Sequence, residues 1–377
     1  MVAAASVVAA VGTVTGMVSA LDEGGGKDQA RPKVTRSPTL EPLPAVPTPS
    51  ASESSAKPSP AKSSADARPK PKPNPKSSTQ RPKKPSTAAP SANSLYRHGD
   101  SQVLDWVRAN RGDPRRPLIE SRIADRPAAV WFAEYAPGTI TSRVRAVTSS
   151  AGSRVPVVVP YAIPDRDCGG ASQGGAPDLA AYDAWIEKFA AGLGSGEVVV
   201  VLEPDAIALS ECLSAKQRTA RYASLARAGR TLKAANPKAR VYYDAGHSGW
   251  NAAAKQAGRL RAAGAASPAS SDGIFTNVSN FHRTADEAAY ARKVLSALGG
   301  PAGLGAVIDT SRNGNGAPAD GEWCDPAGRG LGQSPTLRTG KARIDAYLWI
   351  KLPGESDGCK GAPGTFTPGY AYDLARG

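Results

Sequence analysis

The chain has few of the residues that bind transition metals. Its 377 residues include only three histidines and four cysteines, and no two cysteines form a Cys-x-x-Cys pair. Structural zinc sites need several closely spaced Cys and His ligands. We therefore expect no metal site, and no sequence pattern indicates any other cofactor.

The four cysteines predict disulfides instead. All lie in the C-terminal part of the chain, at Cys168, Cys212, Cys324 and Cys359. Four cysteines allow three connectivities, and pairing of sequence neighbours would connect adjacent loops at strand ends. Disulfides form in oxidising compartments, so these cysteines favour an exported protein.

Motifs of nucleotide and nucleic-acid binding are also absent. The glycine-rich run CGGASQGG (168–175) is not GxGxxG and does not lead directly into a helix, so it predicts a mobile loop rather than a phosphate site. The formal net charge is +14, but residues 24–94 alone carry 13 Lys/Arg against 4 Asp/Glu, a net +9. No RNP, zinc-finger or helix-turn-helix pattern accompanies this charge, so no nucleic-acid partner is predicted.

The first 94 residues do not have the composition of a folded domain. Residues 2–21 are uncharged and long enough to cross a bilayer, so 1–23 is predicted to be a signal peptide or an N-terminal membrane anchor. Residues 24–94 are rich in Pro, Ser, Ala and Lys and cannot bury enough apolar surface to fold, so they predict a disordered linker. We expect a protein that is secreted or anchored outside the cell, where the N-terminus tethers it to the membrane or cell wall.

From about residue 95 to residue 377, short β-forming runs alternate with helical patterns. The predicted strands are Ala128–Tyr135, Val155–Tyr161, Val198–Glu203, Arg240–Asp244, Gly273–Val278, Gly305–Asp309 and Ile344–Lys351. One predicted helix begins after Pro177-Asp178, and another ends at Asn236-Pro237. Strands joined by helical crossovers predict an α/β fold, namely a distorted seven-stranded parallel β/α barrel of the TIM-like kind. An open doubly wound sheet is the alternative.

Acidic residues follow the ends of most of these strands. In the run VVVVLEPDAI (198–207), Glu203 and Asp205 follow the apolar residues. The acidic residues at the other strand ends are Asp165, Asp167, Asp244, Asp309, Glu355 and Asp357. In a parallel barrel the C-terminal ends of the strands form the active site. Two carboxyl groups, one protonated and one ionised, are the minimum for hydrolysing a glycosidic bond.

Asp205 and Asp167 are the first candidates for this pair. Asp205 follows a proline at the end of an apolar strand, where desolvation raises the pKa of a carboxyl group. Asp167 follows Arg166, whose charge is expected to favour the ionised form. The residues around them have structural interpretations. Asp165 is predicted to cap its loop and Glu203 to orient its neighbours or the backbone.

Asp309 and Arg312 at the sixth strand end have two interpretations. They form either a structural ion pair or a contact to the substrate. Asp309 ends the run AVID (306–309), and Arg312 lies three residues further on.

Aromatic and polar side chains at the same predicted face suit a sugar ligand. Sugars need aromatic surfaces for their rings and polar groups for their hydroxyls. Five aromatic residues lie at or just past strand ends, namely Trp131, Tyr161, Trp250, Trp323 and Trp349. Asn277, Asn280 and His247 lie at equivalent places, and Ser172 lies in the glycine-rich loop. We expect Ser172, His247 and Asn277 to contact the substrate.

Seven strings in chain order resemble those of glycoside hydrolase family 6, the inverting cellulases. They are YAIPDRDC (161–168), VLEPDAI (201–207), YYDAGHSGW (242–250), TNVSNF (276–281), IDTSRNGNG (308–316), EWCDPAGRGLG (322–332) and WIKLPGESDGC (349–359). The resemblance covers residues 95–377 and implies a distorted seven-stranded barrel. It also implies hydrolysis of β-1,4-glucan with inversion at the anomeric carbon. We expect a monomer with a glucan polysaccharide or oligosaccharide as its partner.

The resemblance also implies a role for individual residues. Asp205 matches the general acid, Asp167 the residue that tunes this acid and relays a proton from water, Asp244 a supporting residue, and Asp357 the candidate base. The residues that match substrate-contacting positions of the family are Trp131, Tyr161, Trp250, Trp323, Lys351 and Glu355. The implied disulfides are Cys168–Cys212 and Cys324–Cys359. Leu352-Pro353 departs from the family pattern, in which a proline followed by two glycines is common.

Loop lengths favour action within chains over action at chain ends. Only ten residues separate Arg312 from Trp323, so no long loop roofs the barrel there, and an open cleft is typical of an endoglucanase. The alternatives are an exo-acting cellobiohydrolase and a non-catalytic cell-wall glycan-binding protein on the same fold. The presence of Asp205, Asp167 and Asp244 favours an active enzyme.

Overall fold

The computed structural model describes residues 94–319 and 321–377. The predicted N-terminal segments, 1–23 and 24–94, lie outside these residues except for Ser94. Among the helices of the described ranges, none combines the length and the apolar character that a membrane span requires.

Seven parallel strands form one sheet in chain order. They are β1 (Val130–Phe132), β2 (Val157–Pro160), β3 (Val198–Leu202), β4 (Ala239–Asp244), β5 (Gly273–Thr276), β6 (Gly305–Asp309) and β7 (Ile344–Leu348). Each pairs in parallel with the next. The predicted strands and their parallel arrangement are confirmed, and the open doubly wound sheet is not observed.

The sheet curls until the beginning of its first strand meets the end of its last strand. There the Ala129 amide donates to the Trp349 carbonyl at 2.9 Å, and Trp131 Nε1 donates to the Ile350 carbonyl at 2.7 Å. No ladder joins β1 to β7 in the described sheet. The barrel is therefore distorted, as predicted, with a seam between these two strands.

Helices connect the strands on the outside of the barrel. They are α1 (Gln102–Ala109), α2 (Arg116–Ile119), α3 (Ile140–Ser150), α4 (Leu179–Ala190), α5 (Ala215–Ala235), α6 (Ala253–Ala262), α7 (Thr284–Leu298) and α8 (Pro368–Arg376), with a π-helical turn at Glu120–Ala124 and a 3-10 turn at Arg166–Gly169. Asp178 caps α4 by accepting the Ala181 amide at 2.8 Å, which confirms the predicted helix start. Asn236 ends α5, as predicted.

Apolar side chains fill both faces of the sheet. In β3, Val199 and Val201 pack inside the barrel, whereas Val198 and Val200 pack against the outer helices. Burial on both faces explains why these strands have continuous apolar sequences rather than alternating ones. A third cluster, which includes Trp349 and Leu352, packs α1, α2 and α8 beside the seam.

Two disulfides tie neighbouring loops at the C-terminal side of the sheet. Cys168–Cys212 joins the loops after β2 and β3, and Cys324–Cys359 joins the loops after β6 and β7. The predicted pairing is confirmed. Each bridge connects loops that follow adjacent strands, because adjacent parallel strands end side by side.

Candidate active site

A cavity of about 1250 Å³ opens at the C-terminal ends of the strands. Residues that follow each of the seven strands line it. The predicted site residues among them are Trp131, Tyr161, Asp167, Ser172, Asp205, His247, Trp250, Trp323, Lys351, Glu355 and Asp357. The topology thus brings together residues that lie up to 226 positions apart in the chain, from 131 to 357.

Asp205 lines the cavity and follows β3 and Pro204 directly. Burial raises the pKa of Asp205 well above the usual range of an aspartate, and the negative charges of Asp244 and Asp167 raise it further. The desolvation predicted from the apolar strand is confirmed. A carboxyl group with a raised pKa keeps its proton to higher pH than an ordinary aspartate, which suits it to general acid catalysis.

Asp244 lies below Asp205 and does not line the cavity. Its carboxylate accepts the backbone amides of Ile207 at 3.1 Å, Ala208 at 2.7 Å and Gly246 at 2.8 Å. Burial raises the pKa of Asp244, and these amides oppose the rise. Because Asp244 is the carboxyl group with amide donors, it carries the negative charge and Asp205 carries the proton.

Asp167 is linked to Tyr161 through Ser172. Asp167 Oδ2 accepts the Ser172 amide at 2.8 Å and the Ser172 hydroxyl at 3.0 Å, and Ser172 Oγ lies 3.1 Å from the Tyr161 hydroxyl. The glycine-rich loop therefore lies beside the site, as predicted. Asp167 Oδ1 has no hydrogen-bond partner within the described residues.

Arg166 makes no contact with the Asp167 carboxylate in the described residues. The Arg166 guanidinium donates to the carbonyls of Ser172 at 2.7 Å, Ala133 at 2.5 Å and Tyr161, and lies 4.6 Å from the centre of the Tyr161 ring. Asp167 has a left-handed backbone with φ of 55°. Arg166 holds the loop rather than the carboxylate.

Glu203 orients the backbone, as predicted. It is fully buried, and its carboxylate accepts the amides of Ala162 and Ile163 at 3.0 Å. Burial raises the pKa of Glu203 to about 7. Through these bonds Glu203 fixes the segment that leads from β2 to Asp167.

Asp357 forms an ion pair with Arg312 at the end of β7. Asp357 Oδ2 lies 2.8 Å from Arg312 Nη1 and accepts the Asp325 amide at 3.1 Å, and Lys351 Nζ lies 3.7 Å from Oδ1. The Arg312 side chain is completely buried, so this pair is shielded from solvent. These contacts fix the orientation of the candidate base.

An ion pair between Asp309 and Arg312 is not observed in the described residues, so that interpretation is wrong. Asp309 is fully buried and does not line the cavity. Its oxygens accept the backbone amides of Ser311 at 2.9 Å, Lys351 at 3.0 Å and Ser279 at 3.3 Å. Tight turns at three strand ends leave these amides without ladder partners, and Asp309 satisfies them.

Lys351 and Glu355 lie together on the β7 side of the cleft. Burial lowers the pKa of Lys351 and raises the pKa of Glu355 to about 7, although Lys351 and Arg312 oppose the latter shift. Lys351 Nζ donates to the Ser356 carbonyl at 3.2 Å. Within the described part of the chain, the Glu355 side chain has no hydrogen-bond partner, so it is free to bind a sugar hydroxyl.

His247, Trp250 and His282 form an aromatic wall after β4 and β5. The His247 ring lies 4.2 Å from that of His282, in a stack, and 5.3 Å from that of Trp250. Burial and His282 lower the pKa of His247 to about 3, so the ring is neutral. Its Nδ1 accepts the Gly249 amide at 3.2 Å, which leaves Nε2 as a hydrogen-bond donor. Sequence reasoning missed His282, although it follows β5 closely.

Besides Asp244 and Asp309, three further residues placed near the site by sequence do not line the cavity. Asn277 is fully buried, and its amide donates to the carbonyl of Asp309 at 2.8 Å. Trp349 packs in the cluster beside the seam, and its Nε1 donates to the Gln333 carbonyl at 3.0 Å.

Asp165 is the third of these residues. Its side chain makes no capping hydrogen bond in the described structure, so the predicted cap is wrong. The backbone at Asp165 is left-handed with φ of 50°, and its carbonyl accepts Arg221 Nη2 at 3.2 Å. The loop is thus held through the backbone.

Left-handed backbone is concentrated at this face. Nine non-glycine residues of the described chain have positive φ. Eight follow strand ends, namely Asp165, Asp167, Cys168, Glu203, Asp205, Asn277, Ser279 and Asp325. Such conformations are uncommon outside glycine and occur most often at functional sites.

Within the described ranges, no group of three or more His, Cys, Asp or Glu residues is arranged to hold a metal ion.

Comparisons with known proteins agree with this site. The family model of Glycosyl hydrolases family 6 matches residues 87–370. The chain is 56% identical over 295 residues to Endoglucanase 1 of Streptomyces sp. (strain KSM-9), covering 78% of this chain and 80% of the relative. It is 49% identical over 284 residues to Endoglucanase A of Thermobispora bispora, covering 74% of this chain and 61% of the relative.

A solved structure shows the same fold. The endoglucanase Cel6 of Mycobacterium tuberculosis, in complex with methyl-cellobiosyl-4-deoxy-4-thio-β-D-cellobioside, superposes with a TM-score of 0.70. The identity is 38%, and the match covers 76% of this chain and 97% of that one. With the family match spanning the barrel and its site, this chain belongs to glycosyl hydrolases family 6.

Proposed function

We propose that the protein is an endoglucanase that hydrolyses internal β-1,4 bonds of cellulose or a related β-glucan in an open cleft. The observation that carries this proposal is Asp205, a carboxyl group kept protonated by burial and by two neighbouring carboxylates at the floor of an aromatic-lined cleft. The relatives named as endoglucanases, and the cellobioside ligand of the M. tuberculosis enzyme, support this substrate class.

Asp205 acts as the general acid in this mechanism. It gives its proton to the glycosidic oxygen while the bond to the anomeric carbon breaks. Asp244 holds negative charge beneath it and so maintains the proton on Asp205 until the leaving oxygen takes it. After the reaction, solvent restores the proton.

Asp167 and Asp357 serve the attacking water. Asp167 has Oδ1 free of hydrogen bonds in the described chain and takes up the water proton as a relay, with Ser172 fixing its other oxygen. Asp357 is the candidate base, and its pairing with Arg312 sets the direction of its carboxylate. Both lie on strands other than the one that carries Asp205.

Aromatic side chains bind the sugar rings along the cleft. Trp131 meets the Tyr161 ring edge-on at 5.3 Å, and Trp250 and Trp323 follow on the other side of Asp205 in strand order. Tyr161 lies under the sugar that distorts. Lys351, Glu355, His247 and Ser172 supply hydrogen bonds to hydroxyls, while Asn277 acts indirectly by fixing the turn after β5.

One assay separates internal cleavage from action at chain ends. On a soluble β-1,4-glucan, an endo-acting enzyme lowers viscosity steeply while it releases few reducing ends. An exo-acting cellobiohydrolase, as some fungal relatives are named, releases many reducing ends before viscosity falls. A glycan-binding protein without activity changes neither quantity, and that result would exclude catalysis. We expect the first outcome, since Trp323 is 59% exposed on an open rim.

We also propose that the enzyme works outside the cell as a monomer. Both cysteine pairs are joined as disulfides, which suits an oxidising compartment. Whether the N-terminus is cleaved or tethers the protein to membrane or wall is settled by N-terminal sequencing of the exported protein.

A further inference from the structure

The lining of the cavity includes residues that precede β1 in the chain and residues of the last loop before α8. We call the part of this lining that is formed by Arg97, His98, Arg126 and Gly364 the far end. None of the predicted site residues is among these four. The far end therefore has room for a ligand group with no assigned contacts.

The walls of this far end are joined to each other. Gln102, the first residue of α1, donates from Nε2 to the Gly364 carbonyl at 2.7 Å and accepts the Phe366 amide at Oε1 at 2.9 Å. Behind it, the rings of Trp106 and Phe366 lie 6.0 Å apart. One wall comes from the beginning of the barrel domain and the other from its last loop, and the Gln102 amide fixes their separation.

The lining of the far end is rich in hydrogen-bond donors. Arg97 is half-buried and anchored by Nη1 to the Ala124 carbonyl at 3.2 Å, while its other guanidinium nitrogens have no partner in the described residues. Arg126 makes no side-chain hydrogen bond in those residues. His98 Nδ1 is buried and has no partner there. Planar guanidinium groups bind the paired hydroxyl oxygens of a sugar well, because they present several donors in one plane.

We infer that the far end is a further subsite, in which Arg97 and Arg126 bind a glucosyl unit on the non-reducing side of the unit at Trp131. This inference rests on the proposed function. The sugar that distorts lies over Tyr161, next to the general acid Asp205, so the leaving group extends toward His247 and Trp250. The glycone then extends the other way, over Trp131, and its next unit reaches the far end.

A glucan that occupies this subsite is cut with at least three glucosyl units on its non-reducing side. Cleavage patterns measure this directly. Cellohexaose labelled at its reducing end with ¹⁸O distinguishes every bond by product mass. The experiment compares the full chain with Arg126→Ala and Arg97→Ala. Arg122→Ala is the matched control, because Arg122 lies on the neighbouring π-helical turn and does not line the cavity.

The measured quantity is a ratio: cuts that leave three or more glucosyl units on the non-reducing side, divided by cuts that leave two. We expect this ratio to fall about three- to tenfold in each variant, which is the effect of one lost hydrogen bond. The control keeps the ratio of the unchanged enzyme. Because a ratio does not depend on the amount of folded enzyme, partial unfolding of Arg97→Ala does not alter it.

Two results overturn the inference. An unchanged ratio in both active variants excludes the subsite, and a shift toward longer non-reducing products reverses the polarity assigned here. A full-length enzyme without activity on cellohexaose or glucan contradicts the proposed function itself and removes the subsite with it.

Discussion

At the scale of single residues, the site depends on backbone conformations that the sequence pattern does not display. Glu203 and Asp205 flank Pro204 and both have left-handed φ, of 48° and 69°. Each such residue costs on the order of 1 kcal/mol, and the surrounding hydrogen bonds must offset that cost. The turn points Glu203 into the protein toward the Ala162 amide, whereas Asp205 lines the cleft. Two carboxyl groups two positions apart thereby acquire different roles.

Replacing the general acid tests the central assignment. We expect Asp205→Asn to lower kcat on unactivated glucan by about 10²–10⁴-fold, because the leaving oxygen loses its proton donor. On a cellobioside with an acidic phenol as leaving group, the loss is smaller, since that group needs no proton. Asp165→Asn, on an exposed carboxyl outside the cavity, is the control and retains activity. Equal losses on both substrates would contradict the role.

The pH dependence follows from the charge beneath Asp205. A general acid works while it is protonated, so kcat/KM falls as pH rises through its pKa. Asp244 raises the pKa of Asp205, so Asp244→Asn lowers that pKa and moves the basic limb of the kcat/KM profile to lower pH. Asp309→Asn is the matched control, because Asp309 is another buried carboxyl that binds backbone amides at a strand end. A basic limb that stays in place or moves to higher pH contradicts this coupling.

At the scale of elements, the strands were predictable because they are buried on both faces. β3 and β6 match their predicted bounds within one residue. β1 does not, since the predicted run Ala128–Tyr135 forms a ladder only over Val130–Phe132. It lies at the seam and pairs on one side alone, so its apolar residues continue as loop. An apolar run in the sequence indicates that a segment is buried, but it does not indicate whether a neighbouring strand is present to pair with it.

The disulfide between the loops after β2 and β3 is expected to stabilise the fold and the site together. Replacing Cys168 and Cys212 by serine removes a bridge across 44 positions, which costs about 2–5 kcal/mol in the free energy of unfolding. Chemical denaturation measures this loss. Because Cys168 follows Asp167, kcat falls as well. The Cys324→Ser/Cys359→Ser pair is the comparison, and an unfolding free energy that changes in neither variant would refute a stabilising role for both bridges.

At the scale of the whole molecule, the seam between β1 and β7 organises the cleft. The Trp131 ring crosses it to reach the Ile350 carbonyl, which places the proposed sugar platform of β1 beside the charged residues Lys351, Glu355 and Asp357 that follow β7. Most residues that line the cleft could be predicted from the sequence, because each lies in a short stretch directly after a strand. Asn277 and Asp309 could not be assigned from sequence, since their partners are backbone groups of turns far along the chain.

The stereochemical outcome is a property of the whole site. An inverting enzyme needs room for a water between the anomeric carbon and its base, so its carboxyl groups lie about 6.5–9.5 Å apart, against about 5–5.5 Å in a retaining enzyme. Asp205 follows β3, Asp167 follows β2 and Asp357 follows β7, so three different strands carry them. Neither Asp167 nor Asp357 forms a hydrogen bond with Asp205 in the described residues.

We therefore expect the first product from a β-1,4-glucan oligosaccharide to be the α-anomer. Proton NMR reads the anomeric signal within minutes of mixing, before mutarotation equilibrates it. A sample quenched and left to equilibrate is the control for signal assignment. Asp357→Asn and Asp167→Asn, measured beside it, lower the rate without changing the anomer, because neither forms a covalent intermediate. Early accumulation of the β-anomer would demonstrate retention and would require a carboxylate nucleophile in contact with the sugar, which contradicts the roles of Asp167 and Asp357 as partners of a water.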